Sequence, residues 1–191
     1  MDKERKLQII KTADKRFSKH GLGKTTLEEI ARDLRIGKAT IYHYFNSKED
    51  LFFETINWET SQIIEEVKAI FNNEQKEIRE RFIEYFNFKE ALHSKYKLVY
   101  DIALLLLKDP TYEKESEIIN NLIRREEEIL SLAISALYAG KPENMKPGMP
   151  LLFVFQSWGG LFGSKLIQLS GSNKNAESKE LFFKEIDNLL L

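Results

Sequence analysis

The stretch TTLEEIARDLRIGKATIYHYFNSKEDL, residues 25–51, carries the most informative pattern in the chain. It holds two short segments with apolar residues at helical spacing, separated by a turn that contains a glycine. Ile30 and Leu34 mark the first segment, and Ile41 and Phe45 mark the second. Apolar side chains three or four residues apart lie on one face of a helix. The stretch therefore predicts two short helices joined by a tight turn, which is a helix-turn-helix.

Residues that favour helix starts frame both segments. Thr25, Thr26 and Glu28 predict a capping box, in which a threonine hydroxyl accepts a free backbone N–H and the glutamate reaches back. Residues 46–50, Asn-Ser-Lys-Glu-Asp, predict a second cap. This second cap opens a longer fourth helix that continues to about Val67.

An amphipathic helix is predicted upstream, over residues 3–20. Gly21 follows it, at the place where a helix commonly ends on a left-handed residue. With the helix-turn-helix, this segment makes a small N-terminal unit of three helices. The apolar face of the first helix is formed by Leu7, Ile10, Ala13 and Phe17.

Longer helices are predicted after residue 72, and no stretch alternates with the period of two that marks a strand. Proline- and glycine-containing breaks separate these helices. The predicted fold class is all-α, with an N-terminal three-helix unit and a C-terminal bundle. The expected domains are residues 1–47, the three-helix unit, and residues 48–191, the bundle. The predicted bundle helices span residues 74–93, 95–108, 110–138, 150–169 and 176–190.

Charge is distributed unevenly along the chain of 191 residues, whose formal net charge is only −1. Residues 1–50 hold 12 Lys and Arg against 8 Asp and Glu, a net charge of +4. The remaining residues hold 17 against 22, a net charge of −5. We therefore expect only the N-terminal segment to meet an anionic partner.

Composition excludes several classes of protein. The chain has no cysteine, so disulfides, thiolate catalysis and cysteine-based metal sites are ruled out. The apolar window 149–169 is interrupted by polar residues, and no signal peptide precedes the first helix, so we expect a cytoplasmic protein. No catalytic signature or phosphate-binding loop is present, and the three histidines are far apart. We expect no enzyme activity, no cofactor and no metal.

The predicted second helix of the helix-turn-helix, residues 38–44, suits DNA. Its exposed side carries Lys, Thr, Tyr and His, all of which donate hydrogen bonds to phosphates or base edges, and no carboxylate. A helix of this kind fits the major groove while the helix before it crosses the backbone.

The residues of this region resemble the TetR family of bacterial transcription regulators. The resemblance rests on Thr-Thr-Leu-x-x-Ile-Ala at residues 25–31 and on Ile-Gly-Lys-Ala-Thr-Ile-Tyr-His-Tyr-Phe-x-Ser-Lys-Glu-Asp-Leu at residues 36–51. It covers about residues 5–55, and the family often has His where this chain has Tyr44. The resemblance implies a homodimer that binds a palindromic operator, usually as a repressor. It also implies that a small molecule enters the C-terminal core and moves the helix at about residues 48–71, which releases the DNA.

Eight residues are the expected DNA contacts under this resemblance. Four of them are expected to face bases: Lys38, Ala39, Thr40 and His43. The other four are expected to hold phosphates: Thr25, Tyr42, Tyr44 and Lys48. The expected core of the unit contains Ile30, Leu34, Ile36, Ile41 and Phe45.

Effector and dimer sites are predicted from weaker patterns in the C-terminal part. Aromatic residues at helical spacing are mostly expected in the core, and a few in a ligand cavity. Asp101 either faces solvent or an arginine, or it anchors a polar or cationic group of the effector. The predicted effector residues are Tyr100, Asp101, Phe155 and Trp158. Small residues that allow helices to approach closely predict a dimer interface, or alternatively packing within one subunit, at Gly159, Gly160, Gly163 and Ser164.

The expected function is therefore a dimeric repressor whose partners are operator DNA, a second copy of the chain and a small, largely apolar effector. An activator of the same fold is one alternative, because operator position decides the sign of regulation. A helical adaptor that binds no effector is another. The sequence names neither the effector nor the operator.

Overall fold

The chain is helical throughout the part that this computed structural model describes, residues 2–138, 146–169 and 183–184. No strand occurs in these ranges, which confirms the all-α prediction. None of their helices is long and apolar enough to span a membrane. The helices are α1 (Asp2–Lys24), α2 (Leu27–Asp33), α3 (Lys38–Tyr44), α4 (Lys48–Phe71), α5 (Ile78–Lys95), α6 (Lys97–Lys108), α7 (Glu113–Leu137) and α8 (Met149–Leu169).

Side-chain turns delay two helix starts beyond the predicted positions. The sequence predicted that α5 starts at residue 74, but it starts at Ile78. The reason is that the side chain of Asn73 accepts the Gln75 N–H at 3.2 Å. Likewise α7 starts at Glu113 rather than at residue 110, since the Asp109 carboxylate accepts the Thr111 N–H at 3.0 Å. Such local bonds compete with the helix for the backbone. The predicted helix over residues 176–190 lies outside the described residues except for 183–184, which are helical.

Two compact units make up the chain. The first contains Met1–Ile63 with Tyr96–Ile118, and the second contains Ile64–Lys95 with Ile119–Leu191. The division therefore falls within α4, between α5 and α6, and within α7.

The core of the first unit lies beneath α1, α2 and α3. Ile30, Ile41 and Phe45 are at most 1% exposed, as their spacing predicts, while Leu34 and Ile36 are half-buried. On α1 the buried face consists of Ile9, Ile10, Ala13 and Phe17. Leu7 was predicted in that face, but it is exposed, and Ile9 takes the buried place. Gly21 has a φ of 75° and kinks α1, which then continues to Lys24.

Aromatic rings form the centre of the second unit. The ring of Phe82 on α5 lies with its centroid 4.6 Å from that of Phe153 on α8 and 5.1 Å from that of Phe71. Tyr85 lies 5.6 Å from Phe71 by the same measure. All four side chains are buried, so they act as core.

A buried ion pair crosses this second unit. The Lys89 ammonium of α5 donates to both carboxylate oxygens of Glu126 on α7, at 2.7 and 3.0 Å, and neither side chain is exposed. The indole N–H of Trp158 on α8 donates to the same carboxylate at 3.0 Å. The Lys89 Nζ also lies 3.8 Å from the Trp158 ring centroid, in a cation–π contact. Burial lowers the pKa of Lys89, and the charge of Glu126 opposes that shift.

We predict that Glu126→Gln lowers the free energy of unfolding by about 3–5 kcal/mol, because it leaves the Lys89 ammonium buried without a counter-charge. Urea denaturation followed by circular dichroism measures this loss. The double variant Lys89→Met/Glu126→Gln buries no charge and is the matched control, expected to recover most of the stability. Equal losses in the single and double variants would contradict the prediction.

Candidate nucleic-acid interface

A capping box fixes the start of α2. Thr26 is the N-cap, and its hydroxyl accepts the Glu29 N–H at 3.3 Å while the Glu29 carboxylate accepts the Thr26 N–H at 3.0 Å. These bonds from Thr26 lower the pKa of Glu29. The sequence prediction gave the glutamate's role to Glu28 and was wrong by one residue. Because the N-cap is Thr26 and not Thr25, the third residue onward is Glu29.

The turn between α2 and α3 is tight and has one residue in a left-handed conformation. Arg35 has a φ of 54°, and the Ile36 N–H donates to the Ala31 carbonyl at 3.0 Å. Gly37 then forms the N-cap of α3 with an ordinary extended conformation. The glycine is therefore not the residue that turns the chain, because Arg35 carries the positive φ.

Buried and exposed residues divide α3 cleanly. Ile41 within the helix is fully buried, and Phe45 just after it is 1% exposed. Lys38, Ala39, Tyr42 and His43 are exposed, while Thr40 and Tyr44 are half-buried. The helix thus presents an outer surface of hydrogen-bond donors without a carboxylate of its own, as its sequence predicts.

Lys38, the first cationic residue of this surface, forms an ion pair with a glutamate of the neighbouring helix. The Lys38 Nζ lies 2.5 Å from Oε1 of Glu28 on α2 and 5.4 Å from the centroid of the Tyr42 ring. The hydrogen bond between them raises the pKa of Lys38 and lowers the pKa of Glu28. Both side chains are about half exposed, at 43% and 54%, so solvent screens the pair. A phosphate or base approaching Lys38 must compete with Glu28.

The first turn of α1 lies beside the C-terminal half of α3. The hydrogen bond from the Tyr44 hydroxyl to Asp2 raises the pKa of Tyr44. The two helices form a groove between them, lined by Asp2, Glu4, Arg5, Gln8, Thr40 and Tyr44. One of the predicted phosphate contacts, Tyr44, is thus held by α1.

The structure corrects the prediction that Thr25 holds a phosphate. Its side chain is only 1% exposed, and its hydroxyl donates to the Gly21 carbonyl at 2.8 Å. The hydroxyl therefore closes the kinked end of α1 and is not presented to an outside ligand.

Lys48 remains accessible at the start of α4. Its ammonium donates to the Leu22 carbonyl at 2.8 Å and is half-buried. An ammonium has three donors, so this one bond leaves Lys48 able to bind an anion as well. The cap before it is formed by Ser47, whose hydroxyl accepts the Asp50 N–H at 2.9 Å.

Two ion pairs in this region have no signal in the sequence. Arg16 on α1 donates to both carboxylate oxygens of Asp33 at the end of α2, at 2.6 and 2.7 Å. Like the pair of Lys38 with Glu28, it joins residues ten or more positions apart, which no local pattern specifies. Together these pairs fix α2 against both of its neighbours.

The predicted effector residues are separated by their exposure. Tyr100 is 8% exposed and Trp158 is 6% exposed, with its N–H donating to Glu126. Asp101 instead faces outward and pairs with Lys97 one turn before it. This position agrees with the first alternative given for it, solvent, and removes the support for an effector anchor. Phe155 is 55% exposed, which corrects its prediction as a cavity residue.

Small residues lie on the outside of α8. Gly159 and Gly160 are exposed and Gly163 is half-buried, whereas the side chain of Ser164 lies outside the described residues. A Cβ built at any of these three glycines meets no atom within 4 Å. Exposed Leu152 and Phe155 continue this apolar surface along the helix.

Comparison with known proteins places this site in a family. Residues 9–55 match the family described as bacterial regulatory proteins, tetR family. The regulator HbdR of Aromatoleum sp. (strain CIB) is 43% identical over 53 residues, which are 28% of this chain and 23% of HbdR. The probable acrEF/envCD operon repressor of Escherichia coli (strain K12) is 40% identical over 47 residues, which are 25% of this chain and 21% of the repressor. The matches therefore span about a quarter of each relative.

Solved structures extend the likeness of fold to nearly the whole chain. A TetR/AcrR-family regulator from Thermobifida fusca has a TM-score of 0.65 at 22% identity, covering 98% of this chain and 97% of that one. The regulator FadR from Bacillus subtilis, solved in complex with stearoyl-CoA, has a TM-score of 0.62 at 17% identity, covering 96% and 95%. Residues 9–55 therefore form a helix-turn-helix of the kind found in the tetR family of bacterial regulatory proteins.

Proposed function

We propose that this regulator is a dimeric, cytoplasmic repressor that binds a palindromic DNA operator with α3 and leaves it when a small, largely apolar effector binds. The observation that carries the proposal is the division of α3. Buried Ile41 and Phe45 anchor the helix, and the donors of its outer surface face away from the core. A helix held in this way can enter a major groove without losing its own packing.

The proposed contacts follow exposure and chemistry. Lys38, Ala39, Thr40 and His43 lie on or beside the outer surface and are proposed to meet base edges. Tyr42, Tyr44 and Lys48 flank them and are proposed to hold phosphates. We omit Thr25 from this set because its hydroxyl is buried.

Dimerisation is proposed through α8. A palindromic operator needs two copies of α3 related by a two-fold axis. The surface of Leu152, Phe155, Gly159, Gly160 and Gly163 combines apolar side chains with positions where a second helix backbone can approach closely. If this surface packs against the same surface of a second copy, the apolar side chains that are exposed in one subunit become buried.

Effector binding is proposed for residues 48–191, with DNA binding assigned to residues 1–47. FadR, which shares this fold, was solved with stearoyl-CoA, and that supports an apolar ligand here. Tyr100 and Trp158 remain candidate contacts, because both are buried aromatic residues. A cationic effector loses its support, since Asp101 faces outward beside Lys97.

Fluorescence anisotropy tests the function directly. The probe is duplex DNA from immediately upstream of the protein's own gene, with a random duplex at the same salt as the control. Tight, sequence-dependent binding of a dimer supports the proposal, and the same assay then screens acyl and aromatic compounds for release. No preference for any sequence, even after selection from a random duplex library, would refute it and favour an adaptor.

We predict that Lys48→Ala weakens binding to operator and random DNA alike and lowers the slope of log affinity against log salt by about 1, because one phosphate contact is lost. Thr40→Ala, in contrast, is predicted to reduce the preference for operator over random DNA by about 1–3 kcal/mol. Lys68→Ala removes an exposed lysine further along α4 and is the control for Lys48, expected to keep the wild-type slope. A wild-type slope in Lys48→Ala would exclude its phosphate role.

We predict that Glu28→Gln tightens DNA binding several-fold at low salt, because Lys38 no longer has to leave a carboxylate partner. Titrations at two salt concentrations measure the gain, which shrinks as salt screens the charges. Glu49→Gln removes an equal charge from the exposed first turn of α4 and is the matched control. Identical gains in affinity for the two variants would show that the effect comes from the change in net charge and not from the ion pair with Lys38.

We predict that Gly160→Arg gives a folded monomer. The side chain has room in one subunit, since a Cβ there meets nothing within 4 Å, but it blocks the close approach of a second helix. Sedimentation equilibrium measures the oligomer, and circular dichroism checks the fold. Leu132→Arg alters an apolar residue of α7 that is 75% exposed and should remain dimeric.

A further inference from the structure

A groove separates the first two turns of α1 from one side of α3, and its volume is about 560 Å³. Two of its lining residues, Thr40 and Tyr44, are one turn apart on α3, which places them on the same side of that helix. The residues that line the groove from α1 are Asp2, Glu4, Arg5 and Gln8. The start of α1 therefore borders two of the residues proposed to contact DNA.

The opposite side of α3 faces α2, where Lys38 pairs with Glu28. Between the two sides lie Ala39 and His43, which are exposed. An α-helix with its side chains is about 10–12 Å across, and the major groove of B-DNA is about 12 Å wide. A helix that enters the major groove therefore fills it, and the elements on its two sides lie over the phosphates that border the groove. On one side of α3, that element is the start of α1.

Arg5 is the cation that α1 presents in this groove. Its side chain is exposed, and its guanidinium donates to the side-chain oxygen of Gln8 at 3.0 Å. A guanidinium has five N–H donors, so this bond leaves donors free for the oxygens of a phosphate.

The partner of Arg5 is a neutral amide, whereas Lys38 and Arg16 are paired with carboxylates. Within the described part of the chain, a phosphate can therefore bind Arg5 without displacing an anionic partner. Asp2 and Glu4 are exposed in the same groove. Because like charges repel, these carboxylates keep a phosphate out of the groove itself, which leaves the exposed guanidinium at its edge as the binding group.

We propose that Arg5 binds a phosphate of the DNA strand that borders the major groove on the α1 side. This contact rests on the proposed function, since it takes α3 as the helix that enters the groove. Lys48, the phosphate contact proposed at the start of α4, donates to the Leu22 carbonyl near the other end of α1. Leu22 lies about 25 Å from Arg5 along the helix, so the two cations meet different phosphates.

Neutralising one phosphate at a time tests this contact. Duplexes of the operator that each carry a single methylphosphonate are titrated with the full-length protein by fluorescence anisotropy. Wild-type affinity should fall several-fold when the phosphate bound by Arg5 is neutralised. Arg5→Ala should bind that duplex and the unmodified operator equally well, and it should still lose affinity when the phosphate bound by Lys48 is neutralised. The contact is overturned if every methylphosphonate that weakens the wild type weakens Arg5→Ala by the same factor.

The salt dependence of binding gives a second measurement, on operator and random duplexes alike. Arg5→Ala should lower the slope of log affinity against log salt by about 1, because one phosphate contact is lost. Circular dichroism checks that the variant is folded. Lys15→Ala is the matched control, because it removes an equal charge from α1 in a separate groove that Asp33 also lines. Lys15 lies about 15 Å from Arg5 along the helix, so Lys15→Ala should keep the wild-type slope.

Different outcomes refute the Arg5 contact and the proposed function. A wild-type slope in Arg5→Ala, or equal losses of slope in Arg5→Ala and Lys15→Ala, would refute the contact while sequence-dependent binding by the wild type supports the function. If the wild type binds all duplexes equally, the function as a repressor of a specific operator is refuted. A lower slope for Arg5→Ala on random DNA would then still support the phosphate contact. Absence of binding to any duplex would refute both.

Discussion

A helix of seven residues such as α3 has too few internal hydrogen bonds to persist in water by itself. Its conformation depends on the burial of Ile41 and Phe45 in the core formed with α1 and α2. Everything proposed for the outer surface of α3 follows from this anchoring, because it fixes which side chains face outward. The capping box at Thr26 and the turn at Arg35 then set the direction in which that surface points.

The charged residues around α3 are already engaged within the protein. Lys38 is bound by Glu28, Arg16 is held by Asp33, and Lys48 donates to a backbone carbonyl. When such a surface binds DNA, its charged side chains exchange partners within the protein for partners on the DNA. The net gain is the difference between two electrostatic interactions, which makes it sensitive to salt and to single acidic neighbours.

Local pattern was sufficient for the helix-turn-helix and insufficient for the contacts between helices. The spacing of Ile30, Ile41 and Phe45 predicted the buried face because helical periodicity is a local property. Helical spacing wrongly placed Leu7 in the buried face of α1, since spacing does not define the edge of a face that is two or three residues wide. The capping role of Glu29 was assigned to Glu28, one residue too early, because two adjacent threonines offer two possible N-caps.

Tertiary pairs escaped prediction altogether. Nothing in the sequence links Lys89 to Glu126 or Glu59 to the start of α6, as these partners lie 37 to 40 positions apart. For the same reason, the sequence could not show whether the four residues predicted to bind an effector lie near each other in the fold. Asp101 illustrates the limit: its apolar neighbours left open whether it faces solvent or an effector, and its helical phase turns it outward to Lys97.

The buried carboxyl group of Glu59 on α4 accepts the Val99 N–H at 2.8 Å and the Leu98 N–H at 3.4 Å, and so caps the start of α6. This cap bears on the order in which the chain folds. Helices with a local cap, such as α2, have their first turn completed by residues three positions apart. The first turn of α6 waits for a residue about 40 positions earlier, so the loop between them must close first. Formation of α6 is thereby tied to the assembly of α4 with it, and the N-terminal end of α6 is completed late. A chain interrupted between these two helices would lack the acceptor that starts the second one.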